Sequence, residues 1–443
     1  MEPLIVDPTM SRQYNCGNPT HCNRRTLLKL AGASGFSWLT PVAEILADQP
    51  SLDRHAPAKS IILLWLAGGP SQLETFDPHP NQNIAGGTGA IPTSAKGIRL
   101  ASGLEETAEQ MEHIAIVRSV VSREGDHERA AYNVKTGYRP DPTLVHPSIG
   151  AILCHQLPRG KTEIPRHISI LPDAWSGRGG YLGEQYDAFR LGDPQQSIPD
   201  IRTSISQERF HRRLQNLDVV DHQFTQDRMA NLEISRTLHR KTIDQAIRMM
   251  DSEQLAAFDL KDVPSADVAE FGDSAFGRGC LVAGRLIEAG VRCIEVTLNG
   301  WDSHVANHEL QADRVKTLDP AFAALIRHLK QRSLLDQTMI ICGGEFGRTP
   351  QINPAGGRDH WPHGFSIAFA GGGIEGGQVI GETDPHGGRI KHEAGIPIAD
   401  LHATVLEALG VKHNLELQTP IGRPLKLTEG TPLAGLCQIP RKG

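Results

Sequence analysis

The chain has 443 residues, 39% of them hydrophobic and 22% charged, a balance that supports a large globular core and excludes wholesale disorder. Lysine plus arginine total 45 against 51 acidic residues, a formal net charge of −6 with histidine neutral. With no basic excess and no lysine- or arginine-rich block to neutralise phosphates, a general nucleic-acid binder is excluded.

In chain order, the first segment is an address. Asn23-Arg24-Arg25-Thr26-Leu27-Leu28-Lys29 places paired arginines before apolar residues and a lysine, and a small-residue apolar stretch runs from Leu30 to Ala47. Residues 1–47 resemble a twin-arginine export signal with a cut after Ala47, so the twin-arginine machinery is an expected partner and the periplasm or cell surface the expected location. No other stretch approaches the ~20 apolar residues of a membrane span, so no further integral membrane segment is expected. The seven cysteines include no CxxC pair, which argues against a thiolate zinc site.

The chain's length suits one large domain or two ordinary ones. Ser60–Leu66 is a continuous apolar run closed by Ala67-Gly68-Gly69, as suits a central parallel strand covered on both faces. Further runs lie at Ile114–Val117, Val291–Val296, Thr338–Cys342 and Phe365–Phe369. Helical spacing is found over Phe276–Ala289 and Leu310–Leu335, and again through Ile398, Leu401, Val405 and Leu409, with Gly410 as the stop. Strands alternating with helices indicate an α/β fold with a mostly parallel sheet. Residues 80–103 read as an extended surface loop, and about 200–262 as a helical insertion on one side of the domain.

Ligands in open α/β sheets bind beyond the carboxyl ends of the strands. There the sequence places Glu74 and Asp77, then Asp126 and His127, then Asp302 and His304, then Glu345 and Arg348, and before the fifth run Arg358, Asp359, His360 and His363. Six ionisable side chains between residues 345 and 363 are costly beside buried strands unless a metal, an anion or an ion-pair network satisfies them. In Asp302-Ser303-His304 alternate residues of an extended segment point the same way, so a carboxylate and an imidazole reach one cation such as Zn²⁺, or Mn²⁺ or Fe in a harder site. Asp359 and His360 diverge as neighbours, one ligating and the other orienting a ligand from behind. Arg348 and Arg358 carry guanidinium forks suited to a tetrahedral oxyanion, or else pair with nearby carboxylates.

The segments LWLAGGPSQLETFDP (64–78), DHERAAYNVKTGYRP (126–140), NGWDSH (299–304), LLDQTMIICGGEFGRTPQIN (334–353), GRDHWPHGFSIAFAGGGIEGGQVIGETD (357–384) and DLHATVLEALG (400–410) resemble the bacterial "domain of unknown function 1501" family. The resemblance runs from about residue 58 to 430, implying a single domain there, and that family is grouped with the alkaline phosphatase and sulfatase superfamily. The resemblance implies an alkaline-phosphatase-like α/β sandwich with helices on both faces of the sheet and metal ligands at strand ends. It implies an exported metal-dependent hydrolase of phosphate or sulfate esters, acting on a small anionic ester or a sulfated or phosphorylated polymer. A catalytically silent binding or scaffold protein on the same fold is the alternative. Active superfamily members carry a hydroxyl or thiol nucleophile nine residues before a Thr-Gly pair. Here Thr136-Gly137 puts His127 at that place, as nucleophile or ligand, and the metal-binding aspartate after the first strand is replaced by Ala67-Gly68-Gly69. The expected set is therefore His127 and Arg348 as catalytic groups and Asp302, His304, Glu345 and His360 as ligands of a divalent metal, zinc or manganese. Asp77, Asp126, Arg358, Asp359 and His363 orient those ligands or touch substrate.

Overall fold

The computed structural model describes residues 57–437 apart from 197, 199, 200, 202–204, 227–241, 385, 387, 389 and 391–394. These fall in one unit spanning Arg54–Gly443. The export-signal reading on residues 1–47 lies outside the described residues.

Nine strands form the main sheet: β1 (Ser60–Ala67), β2 (Ile114–Val121), β3 (His167–Ile170), β4 (Phe189–Leu191), β5 (Cys293–Asn299), β6 (Thr338–Gly343), β7 (Phe365–Gly371), β8 (Gln378–Ile380) and β9 (Ile396–Pro397). Their order is β8-β2-β7-β6-β1-β5-β3-β4, with β9 also pairing β2. Every pairing in the sheet is parallel except those of β7, which runs antiparallel to both β2 and β6. The mostly parallel sheet expected from the sequence is what the chain forms. All five apolar runs are strands, although the third begins at Cys293 and continues to Asn299.

Central β1 is buried at every position, and its alternate side chains divide between two cores. Ile62, Leu64 and Leu66 share a cluster with Phe276, Leu281 and Leu286 of α4 (Ala275–Glu288) and with Leu318, Phe322 and Leu325 of α5 (Asn307–Gln331). On the opposite face Ile61 packs with Ile152 and Leu153 of α2 (Ile149–Gln156) and with Leu401 and Val405 of α6 (Ile398–Ala408). Leu63, Trp65 and Ala67 meet Ala131 of α1 (His127–Thr136) on that same face. Each such aliphatic side chain contributes about 1.5–3 kcal/mol relative to exposure, which holds the helices on both faces. α6 stops as expected: Gly410 takes φ 72°, and the Gly410 and Val411 amides donate to the Glu407 and Leu406 carbonyls at 2.9 and 2.8 Å.

One sequence expectation changes. The 80–103 segment is not merely an extended loop: Ala90–Pro92 pairs antiparallel with Arg99–Ala101, and Leu100 is fully buried. The insertion contains α3 (Gln207–Gln226) and a second helical stretch over 242–251, while the connection at 227–241 lies outside the described residues.

Candidate metal centre

Because β7 is reversed, the chain enters it at the same edge where β1, β5 and β6 end. Four segments meet there: Gly68 after β1, Asp302 to His304 after β5, Glu345 after β6, and His360 before β7. The last is fixed by a ribbon pairing His360–Trp361 antiparallel with Gly347–Arg348. α1 starts at the same edge, with Asp126 as its N-cap accepting from the Arg129 amide at 3.2 Å and His127 as its first residue.

Three imidazoles converge on one carboxylate. His304 Nε2 lies 3.2 Å and His360 Nε2 3.5 Å from Asp302 Oδ1, and His127 Nε2 lies 3.5 Å from Asp302 Oδ2. His304 Nε2 and His360 Nε2 are 3.0 Å apart. Ligand atoms of His127, Asp302 and His360 all fall within 4.8 Å of one another. Each ring has its other nitrogen committed to an oxygen that only accepts. His127 Nδ1 donates to Glu345 Oε1 at 2.7 Å, His304 Nδ1 to Asp359 Oδ1 at 2.9 Å, and His360 Nδ1 to the Gly125 carbonyl at 2.7 Å. That assigns Nδ1–H to all three, so in the neutral rings every Nε2 lone pair faces Asp302. Lone pairs 3.0 Å apart repel unless a proton or cation lies between them.

The electrostatics agree. Of the carboxylates Asp302, Glu345 and Asp359, Arg348 bonds Asp302 alone, while the other two accept from His127 and His304. The Glu345 hydrogen bond raises His127 above the ordinary imidazole range against the opposing effect of burial, while burial lowers His360. Burial pushes the Asp302 carboxyl up, but the Arg348 hydrogen bond and the surrounding charges outweigh it and hold the group low. Glu345 is 1% exposed; its Oε1 also accepts from the Gly68 amide at 2.9 Å, and its Oε2 has no partner. Three imidazole nitrogens, one carboxylate and a deficit of positive charge fit a divalent cation.

Of the expected ligands, Asp302, His304 and His360 share this cluster and His127 joins them. Glu345 stands behind His127 rather than beside the other ligand atoms, and Asp359 stands behind His304 in the same way. Arg348 is a correction. It has no exposed side-chain surface, and it donates to the Gly69 carbonyl at 2.9 Å, the Arg358 carbonyl at 3.1 Å, the Gly68 carbonyl and Asp302 Oδ1. Four of its five N–H groups are thus held by the protein, which leaves it a brace and not an oxyanion donor. Arg358 is corrected likewise: fully buried, it donates to Glu74 and to the Thr349, Pro350 and Ile84 carbonyls. Asp77 is tied to Thr383, Arg118 and His79, Asp126 caps α1, and exposed His363 packs edge-on against Trp361, so none of these reaches the cluster. Three participants had no sequence signal: the Gly125 carbonyl, the Gly68 amide, and the Trp175 ring, parallel to His127 within 7° at 6.5 Å.

The chain belongs to the family described as "Protein of unknown function (DUF1501)", whose model matches residues 58–436. No curated protein matches the sequence. Similar solved structures include the PsFucS1 sulfatase from Pseudoalteromonas sp., at 13% identity and TM-score 0.38 over 88% of this chain and 72% of that one. A TAB5 alkaline phosphatase mutant with magnesium in its M3 site gives 11% identity and TM-score 0.37 over 80% of this chain and 99% of that one. A protein in the alkaline phosphatase superfamily from Vibrio parahaemolyticus gives 11% and 0.32 over 81% and 67%.

Proposed function

We propose that this chain is an exported, divalent-cation-dependent hydrolase of phosphate or sulfate esters, with the cation held by His127, Asp302, His304 and His360. The observation that carries the reading is the common aim of the three Nε2 atoms, each fixed by an oxygen acceptor on its far nitrogen. Zinc or manganese suits this donor set, and when bound it supplies Lewis-acid polarisation of an ester oxygen and acidifies water. Glu345, Asp359 and the Gly125 carbonyl hold the rings in the ligating tautomer. Arg348 anchors Asp302 through a 2.6 Å charge-assisted bond and offsets part of the negative charge. His127 is read as a ligand, since its Nε2 is aimed at Asp302. The paired Arg24-Arg25 and the apolar stretch to Ala47 support export by the twin-arginine route, which carries folded proteins and so suits loading of the metal beforehand.

One observation favours the silent binding protein instead: neither Arg348 nor Arg358 is free to meet an oxyanion. Elemental analysis and Zn²⁺ or Mn²⁺ titration of chelator-treated protein test the metal reading, which fails if the wild type binds neither ion. If a stoichiometric ion binds, a panel of aryl sulfates, phosphate monoesters and diesters separates the two functions. Turnover lost in His360→Ala supports the hydrolase, and no turnover of any ester by the loaded protein supports the silent form.

A further inference from the structure

A buried charge cluster lies beneath the site, on the face of the sheet that α1 covers. Lys135, 4% exposed, donates to the Trp175 carbonyl at 2.8 Å and reaches Glu295 Oε2 at 3.1 Å and Asp173 Oδ1 at 3.6 Å. Its ammonium also sits 4.4 Å from the Trp65 ring centroid. Trp65 Nε1 and the Trp175 amide donate to the two Asp173 oxygens at 2.9 and 2.8 Å, and Ser169 donates to Glu295 at 3.1 Å. Burying an ammonium and two carboxylates gives little net stability compared with an apolar core of the same shape. What the cluster does accomplish is local. Asp173 and Lys135 hold the backbone of Trp175 from its amide and its carbonyl, and the Trp175 ring lies parallel to His127. Lys135 belongs to the same helix as His127, two turns further on.

We propose that Lys135 is a positioning residue for the candidate metal centre: through Trp175 it sets the ring plane of His127, and so the direction of that ligand. This rests on the reading of His127 as a ligand. Lys135 touches no ligand atom of the centre itself. Its influence passes through the Trp175 main chain to the indole, and from the indole to the imidazole.

The test compares wild type with Lys135→Met/Glu295→Gln, which removes both members of one ion pair, and with Trp175→Ala, which removes the ring while leaving the buried charges in place. Histidine-labelled protein without metal is examined by NMR, and Co²⁺ binding is followed by its visible absorption. The expected result is displacement of the His127 ring resonances in the folded double variant and a rise of about tenfold in the Co²⁺ dissociation constant in both variants, the scale of lost outer support. A folded double variant with wild-type His127 resonances overturns the proposal. Should that variant not fold, wild-type Co²⁺ affinity and absorption in Trp175→Ala overturn it equally. Wild-type protein that binds no Co²⁺ defeats the metal reading alone, and the resonance comparison in the metal-free proteins still decides the link from Lys135 to His127.

Discussion

Asp359→Asn separates a metal-supporting carboxylate from an ordinary surface ion pair. Asp359 accepts from His304 Nδ1 at 2.9 Å, and its side chain is 58% exposed. As a surface pair, the contact is worth roughly 0–1 kcal/mol in the metal-free protein. As the group that fixes a ligand's tautomer, its loss weakens cation binding about 10–100-fold, or roughly 1.4–2.7 kcal/mol, in the bound state only. A folded unit of roughly 380 residues has an unfolding entropy near 0.8 kcal/mol per kelvin. Wild type at 100 times its dissociation constant gains about 2.7 kcal/mol, or about 3 °C in Tm. At the same concentration the variant sits at about 1–10 times its own constant and gains about 0.4–1.4 kcal/mol, or roughly 0.5–2 °C. Thermal melts with and without Zn²⁺ or Mn²⁺ measure both quantities. An undiminished cation-induced gain in Asp359→Asn refutes the reasoning. So does a metal-free Tm loss large enough to account for the whole effect.

Other outcomes follow from separate contacts. Arg358→Met leaves Glu74 buried without its cation and should cost about 3–5 kcal/mol in urea unfolding, with part recovered when Glu74→Gln is added. Gly68→Ala should abolish the cation-induced Tm gain, because Gly68 sits at φ 114° and an added Cβ would lie 2.6 Å from the Asp302 amide. Unchanged binding in that variant would show that the loop yields easily. Burial lowers His167 and His402 to about 4, from an unfolded value near 6.5. Between those values the unfolded chain binds more protons, so their contribution is full above pH 6.5 and falls as pH drops towards 4. The loss should approach about 3 kcal/mol per histidine, and a flat stability profile across that window contradicts it.

The five long apolar runs were legible because strands buried on both faces must be apolar throughout. β3, β4, β8 and β9 were not: they are two to four residues long, and all but β9 carry polar residues. Nothing in Phe365–Phe369 announced that β7 runs backwards, since either direction demands the same apolar composition. In the site, Asp302 and His304 just beyond one apolar run and His360 just before another stood out as ligand types. The arginines misled, because the carbonyls of Gly68, Gly69, Thr349, Pro350 and Ile84 that enclose them carry no side-chain signature. Lys135 carried no such signal: its helix also holds Glu128 and Arg129, and its counter-charges come from residues 173 and 295.

The reversed course of β7 also affects how such a protein can diversify. The chain leaves β6 and re-enters the sheet on one rim, so the segment between Glu345 and His363 is a span with both anchors at the same shore. Within it the paired arms Gly347–Arg348 and His360–Trp361 and the buried Arg358 are fixed, so drift is confined to the exposed turn between them. A lineage could thereby reshape what approaches His360 and Asp359 while inheriting the same scaffold intact.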